Sequence, residues 1–136
     1  MPDSSHVGRR YEATGQVIDR ERVRAFAQAI AGEDEVAEPD AVSPTYAAVY
    51  CLFPTLGQVM GDPEVGINLA GLIHGEQSFE FHAPVRPGET IDSTAEITSV
   101  EEKRGMTFIG VALAGSRAGQ PVCSGRALLI VRGGAS

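Results

Sequence analysis

Residues 72–90 read Leu72-Ile73-His74-Gly75-Glu76-Gln77-Ser78-Phe79-Glu80-Phe81-His82-Ala83-Pro84-Val85-Arg86-Pro87-Gly88-Glu89-Thr90. Phe79 and Phe81 alternate with Glu80 and His82, the period-two pattern of a half-buried strand. His74 stands beside a glycine on the same run, two positions before Glu76. Pro87-Gly88 then makes a turn that opens a long series of strands.

Downstream, residues 90–102 alternate Ile91, Ser93, Ala95, Ile97 and Ser99 against Thr90, Asp92, Thr94, Glu96 and Thr98. Lys103-Arg104-Gly105 predicts a turn, residues 106–116 a further strand, Ala118-Gly119-Gln120 a second turn, and residues 122–132 a last strand. Short turns between long strands favour antiparallel pairing. Upstream, Ser43-Pro44 reads as a cap followed by a first-turn proline. The helix it opens, over residues 45–60, carries Tyr46, Val49, Tyr50, Leu52, Phe53, Leu56, Val59 and Met60 around nearly its whole circumference. Such a helix is buried on most sides. Pro54 should kink or interrupt it, because proline removes a hydrogen bond and crowds the preceding turn. An earlier amphipathic helix is predicted over residues 20–31, with Val23, Phe26, Ala27 and Ile30 on one face, Asp19 as N-cap and Gly32 as a left-handed stop. The loop after it, residues 32–42, is rich in Asp and Glu.

The chain has 136 residues, 43% apolar and 21% charged, the composition of one ordinary globular domain, with its ordered core expected from about residue 8 to 132. No apolar run approaches the ~18 residues of a membrane span. The polar opening Met1-Pro2-Asp3-Ser4-Ser5-His6 lacks the hydrophobic segment of a secretory signal, so a cytoplasmic location is expected. Cys51 and Cys123 lie in apolar surroundings without metal-ligand spacing, and they are read as reduced core residues. A net charge of −7 argues against nucleic acid. Arg9, Arg10, Arg20, Arg22 and Arg24 cluster near the N-terminus, where a pantetheine phosphate or an acidic carrier has a planar fork to dock on. A solvated basic face is the simpler reading, and we favour it.

The His74-Gly75-Glu76-Gln77 and Pro84-Val85-Arg86-Pro87-Gly88 pattern resembles the start of the main sheet in the MaoC-like hot-dog dehydratases, in particular their N-terminal-type domains. The resemblance runs from about Gly8 to Arg132 and is sharp again at residues 127–132, Ala-Leu-Leu-Ile-Val-Arg. It implies an α+β hot-dog fold, a curved antiparallel sheet wrapped around a central helix, and chemistry on acyl thioesters without metal or cofactor. In the catalytic R-specific hydratases of this superfamily a Gly-Asp-x-Asn-Pro-x-His segment follows the early helix, and its aspartate and histidine exchange the proton at C2 and handle the oxygen at C3. Here the corresponding stretch is Gly32-Glu33-Asp34-Glu35-Val36. Asp34 falls at or beside the aspartate position, yet no Asn-Pro follows and no histidine comes within the next several residues.

That departure resembles the heterodimeric 3-hydroxyacyl-carrier-protein dehydratases, in which one subunit carries the acid–base motif while its partner lacks it and shapes the acyl channel. The expected role is that second one, in fatty-acid or polyketide biosynthesis, on a CoA or carrier-protein thioester. Implied partners are a second hot-dog chain, identical or different, and the acyl thioester itself. Candidate residues are His74, oriented by Glu76 on the same face; Asp34 as a weaker acid; and Tyr46, Tyr50, Phe53 and Glu76 along the substrate. The helix start after Pro44 could also aim backbone N–H groups at a thioester carbonyl. Two other functions compete. One is a stand-alone hot-dog thioesterase in which Glu76 or Asp34 activates water. The other is a non-enzymatic acyl-binding module.

Overall fold

In the computed structural model, residues 1–32 and 40–132 are described. Five strands form one antiparallel sheet: β1 (Arg10–Val17), β2 (Leu72–Phe81), β3 (Thr90–Lys103), β4 (Met106–Arg117) and β5 (Gln120–Arg132), in the spatial order β1-β3-β4-β5-β2. The strands from residue 90 onward form where alternation predicts them. Their inner faces bury Ile91, Ala95 and Ile97 of β3, Ile109, Val111 and Leu113 of β4, and Ala127, Leu129 and Val131 of β5. Each large aliphatic side chain buried there contributes about 1.5–3 kcal/mol of transfer free energy. The two hairpin turns put Arg104-Gly105 and Ala118-Gly119 at positive φ (53°, 77°, 48° and 79°). That is the paired left-handed geometry that matches the twist of the flanking strands.

The central helical segment lies against this inner face, burying Tyr46, Ala47, Tyr50, Cys51, Leu52, Thr55, Leu56 and Val59. It is not one uniform helix. A 3₁₀ turn (Pro44–Tyr46) leads to a π-helical turn (Ala48–Leu52), and only then to α2 (Phe53–Gly61). Pro54 is the cause. It has no N–H to offer the carbonyl of Tyr50, four residues earlier. The chain widens instead, so that the Phe53 N–H reaches back five residues to Ala48. A side chain then caps what is left over: the Ser93 hydroxyl of β3 donates to the Tyr50 carbonyl. Gln16 Nε2 of β1 donates to the same oxygen at 2.8 Å.

Four local expectations change. Phe53 faces solvent at 63% exposure, so the helix is not apolar-buried all round; the wider turn before it rotates that side chain off the sheet. Ile30 of α1 (Arg20–Ala31) is also exposed, although the helix itself has the predicted ends, with Asp19 accepting from the Arg22 N–H and Gly32 at φ 72°. In β3 the register shifts between Ile97 and Ser99, so Ser99 leaves the inner face and Val100 packs on the core instead. Finally, β1 has no counterpart in the sequence reading. Only Tyr11 of its eight residues is fully buried, and a register shift between Ala13 and Gln16, with Gly15 at φ 67°, erases the alternation.

Both cysteines are free and buried. No helix is long and apolar enough to cross a membrane, and no cluster of metal-ligating side chains occurs among the described residues.

Candidate functional site

A cavity of about 360 Å³ opens between the start of the central helical segment and the chain leaving β2, lined by Val42, Pro44, Tyr50, Phe81, His82, Ala83, Pro84 and Val85. Its walls are held by backbone pairing. The Val42 N–H donates to the Val85 carbonyl at 2.7 Å, and the His82 N–H to the Val122 carbonyl at 2.9 Å. Most of the lining is hydrocarbon, which suits an extended alkyl chain. Proline twice in the lining (Pro44, Pro84) removes donors that an apolar ligand would leave unsatisfied.

Tyr50 closes the inner end. It is 3% exposed. Burial, then contact with the Cys123 thiol, raises its phenol above the ordinary range, so the hydroxyl stays protonated. Contact with Cys123, then burial, likewise pushes the Cys51 thiol up. On its other side Tyr50 stacks with Tyr46 (ring centroids 6.3 Å), which takes the edge of Phe26 (5.1 Å). Behind this row lies a second, smaller cavity of about 160 Å³, lined by Gln16, Val17, Ile18, Arg22, Tyr46, Val49 and again Tyr50.

His82 is the histidine the structure brings to the larger cavity, and its Nε2 pairs with Ser124 Oγ at 3.0 Å. His82 is exposed, as its alternation with Phe79 and Phe81 predicts, and it borders the cavity from the solvent side. Its place just beyond β2, beside Ala83-Pro84-Val85, was the available signal. Among the described residues no carboxylate lines this cavity with it.

His74 and Glu76 are not partners. Gly75 forms a bulge: His74 lies opposite Leu129 of β5, and Glu76 opposite Leu128. Adjacent β5 residues face opposite sides, so the expected common face is lost. His74 instead bonds Gln77 Oε1 through Nε2 at 3.0 Å, and it is exposed on the edge strand. Glu76 borders a separate hollow with Thr98, Ser99, Gly110 and Arg126. Phe79, which shares the face of Gln77, packs over Gly125, where a Cβ would come within 2.8 Å of its ring. Of the three predicted helix contacts, Tyr50 lines both cavities and Tyr46 the smaller one, while Phe53 lines neither. The helix entry after Pro44 is a 3₁₀ turn without a side-chain cap, and it runs on through the π-helical turn into α2. Asp34 lies outside the described residues.

A curved antiparallel sheet around a buried helical segment defines the hot-dog class. Residues 5–124 match the family described as FAS1-like, dehydratase domain region, and the chain belongs to it, a member of the MaoC-like hot-dog dehydratases. A UPF0336 protein of Saccharopolyspora erythraea is 30% identical over 146 residues, covering 98% of this chain and 94% of its own. The crystal structure of the C-terminally truncated HadBC (3R-hydroxyacyl-ACP dehydratase) complex of Mycobacterium tuberculosis is similar in fold, with TM-score 0.68 and 20% identity over 92% of this chain and 96% of that one. A MaoC-like dehydratase gives TM-score 0.73 and 21% identity over 96% of this chain and 43% of its own.

Proposed function

We propose that this chain is the channel-forming subunit of a (3R)-hydroxyacyl-thioester dehydratase, or enoyl hydratase, working beside a hot-dog partner that supplies the acid–base pair. The observation that carries the reading is the apolar cavity closed by Tyr50, with His82 on its wall, in a chain whose sequence has no histidine in the several residues after Asp34. Dehydration removes a proton from C2 while the C3 hydroxyl leaves with a second proton, which calls for two positioned groups. This chain contributes what the cavity provides: apolar burial of the acyl tail and exclusion of water around it. Its partner holds the thioester end. The substrate is a CoA or carrier-protein thioester of fatty-acid or polyketide biosynthesis, and the assembly works in the cytoplasm.

The relation to the HadBC complex supports a hot-dog partner, since that neighbour is itself a complex of two subunits. So does the edge of the sheet: among the described residues β2 pairs only with β5, leaving its outer edge open, with Ile73 and Phe81 each 45% exposed.

The test is co-expression with a hot-dog chain that carries Gly-Asp-x-Asn-Pro-x-His, followed by assay on 2-enoyl and 3-hydroxyacyl thioesters. The pair should turn over, and this chain alone should have little or no activity toward crotonyl-CoA, because losing one member of an acid–base pair commonly costs about 10²–10⁴-fold. Robust hydration by the chain alone would overturn the subunit role. Release of free thiol from acyl-CoA would make it a thioesterase, and binding without turnover beside any such partner would make it an acyl-binding module.

A further inference from the structure

We infer that Tyr50 is the partition that sets how long an acyl chain this subunit accepts. The inference rests on the acyl-channel reading above and adds the residue that limits it. Tyr50 is the one residue common to the linings of the two cavities just described. On one side its ring stacks on Tyr46, which belongs to the smaller cavity. On the other its hydroxyl meets Cys123, whose cross-strand neighbour Phe81 belongs to the larger. The tyrosine therefore stands between them.

It is also held in place. The Tyr50 carbonyl is fixed from two strands, by Ser93 of β3 and by Gln16 of β1, and Gln16 also donates to Ser93 Oγ at 3.1 Å. The backbone at Tyr50 thus has no freedom to roll with an incoming tail. The stacked ring and the thiol contact restrict the side chain, so an acyl terminus reaching Tyr50 meets a fixed wall. Beyond that wall the smaller cavity carries the hydrocarbon of Val17, Ile18 and Val49 together with the polar groups of Gln16 and Arg22. Its volume is less than half that of the larger cavity, so removing the wall extends the channel by a few carbons rather than doubling it.

The experiment is isothermal titration of saturated acyl-CoA thioesters of four, eight, twelve and sixteen carbons into the full chain and into its co-expressed assembly with the hot-dog partner. Wild type is compared with Tyr50→Leu, with Tyr50→Met, whose flexible side chain repacks more readily, and with Phe53→Ala on the exposed face. Circular dichroism establishes which variants are folded. Wild-type affinity should rise with length and then fall. In a folded Tyr50→Leu or Tyr50→Met chain the fall should move to longer acyl groups, with about a tenfold gain for each two methylenes newly buried. Phe53→Ala should follow wild type. A folded Tyr50 variant with the wild-type length profile would overturn the partition while leaving the acyl channel standing. Absence of binding at every length, in wild type as in the variants, would overturn the acyl-channel reading itself.

Discussion

Pro54 stands four residues after Tyr50, and the Ser93 hydroxyl of β3 supplies to the Tyr50 carbonyl the hydrogen bond that Pro54 cannot make. Thr55 performs a related service one residue further on, its Oγ1 donating to the Cys51 carbonyl at 2.8 Å. A sequence-level helix breaker is thereby accommodated inside a buried helix, and the accommodation fixes the residue that closes the cavity. Ser93→Ala should destabilise the chain by about 1–2 kcal/mol, since Gln16 alone remains on that carbonyl. In a Pro54→Ala background, where a backbone N–H returns, the same change should cost less than about 0.5 kcal/mol. Denaturant unfolding of the four proteins checks this, and equal costs in both backgrounds would refute the link.

Near the end of α2, Asp62 Oδ2 takes the Tyr11 hydroxyl and Arg9 Nε, each at 2.7 Å, so one carboxylate ties the N-terminal strand to the helix exit. The Tyr11 bond first, then Arg9, holds the Asp62 carboxyl below its usual range. Its charged form is thus favoured by folding, and its contribution is present above the ordinary carboxylate pKa and disappears as pH falls through the depressed one. Burial, with Asp62 adding, pushes Tyr11 up to about 12. A raised phenol stabilises the fold below about 10 and loses that contribution as pH climbs toward 12. Tyr11→Phe should cost about 1–2 kcal/mol at neutral pH. It should also flatten the alkaline limb of the stability profile, followed by thermal melting from pH 8 to 12.

His74 is exposed and, among the described residues, its side chain bonds Gln77, so His74→Ala should leave the unfolding free energy of the isolated chain within about 0.5 kcal/mol of wild type. A rate loss of about 10²-fold or more in the active assembly, with stability unchanged, would give it a proton-transfer role that its distance in register from Glu76 does not supply. We expect less than tenfold. His82→Ala, at the cavity wall, is the informative comparison.

The open edge of β2 predicts association. The chain should sediment at micromolar concentration well above its 14.3 kDa. Ile73→Lys, a charge placed on that edge, should shift it toward the monomer without loss of secondary structure. A wild-type chain found only at monomer mass would count against the pairing.

Much of the fold was legible because two physical signals survive in one dimension. Ile91, Ser93, Ala95 and Ile97 alternate, and they pack inward together. Asp19 and Gly32 bracket a helix that begins and ends where they place it. The strand β1 was not legible, because Arg10, Glu12 and Gln16 sit on an edge that buries little and carries a bulge. Tyr50 and Tyr46 were visible as aromatics at helical spacing. Phe53 carried the same signal, and nothing local told it apart.

The sequence by itself determined the class: the strand periodicities and the buried helix follow from nearest-neighbour chemistry and give an α+β domain, and the family resemblance carried by the His74–Gln77 and Pro84–Gly88 blocks narrows it to the hot-dog one. It also showed that the acid–base motif is incomplete after Asp34. Tertiary structure alone decided which side chains meet. A one-residue bulge at Gly75 separates His74 from Glu76, since a strand keeps its faces only while its register is unbroken. A proline-induced π-turn sends Phe53 to solvent and Tyr50 to the cavity floor, because the donor that replaces the missing N–H comes from Ser93, far away along the chain. Such long-range compensation leaves no trace in local sequence.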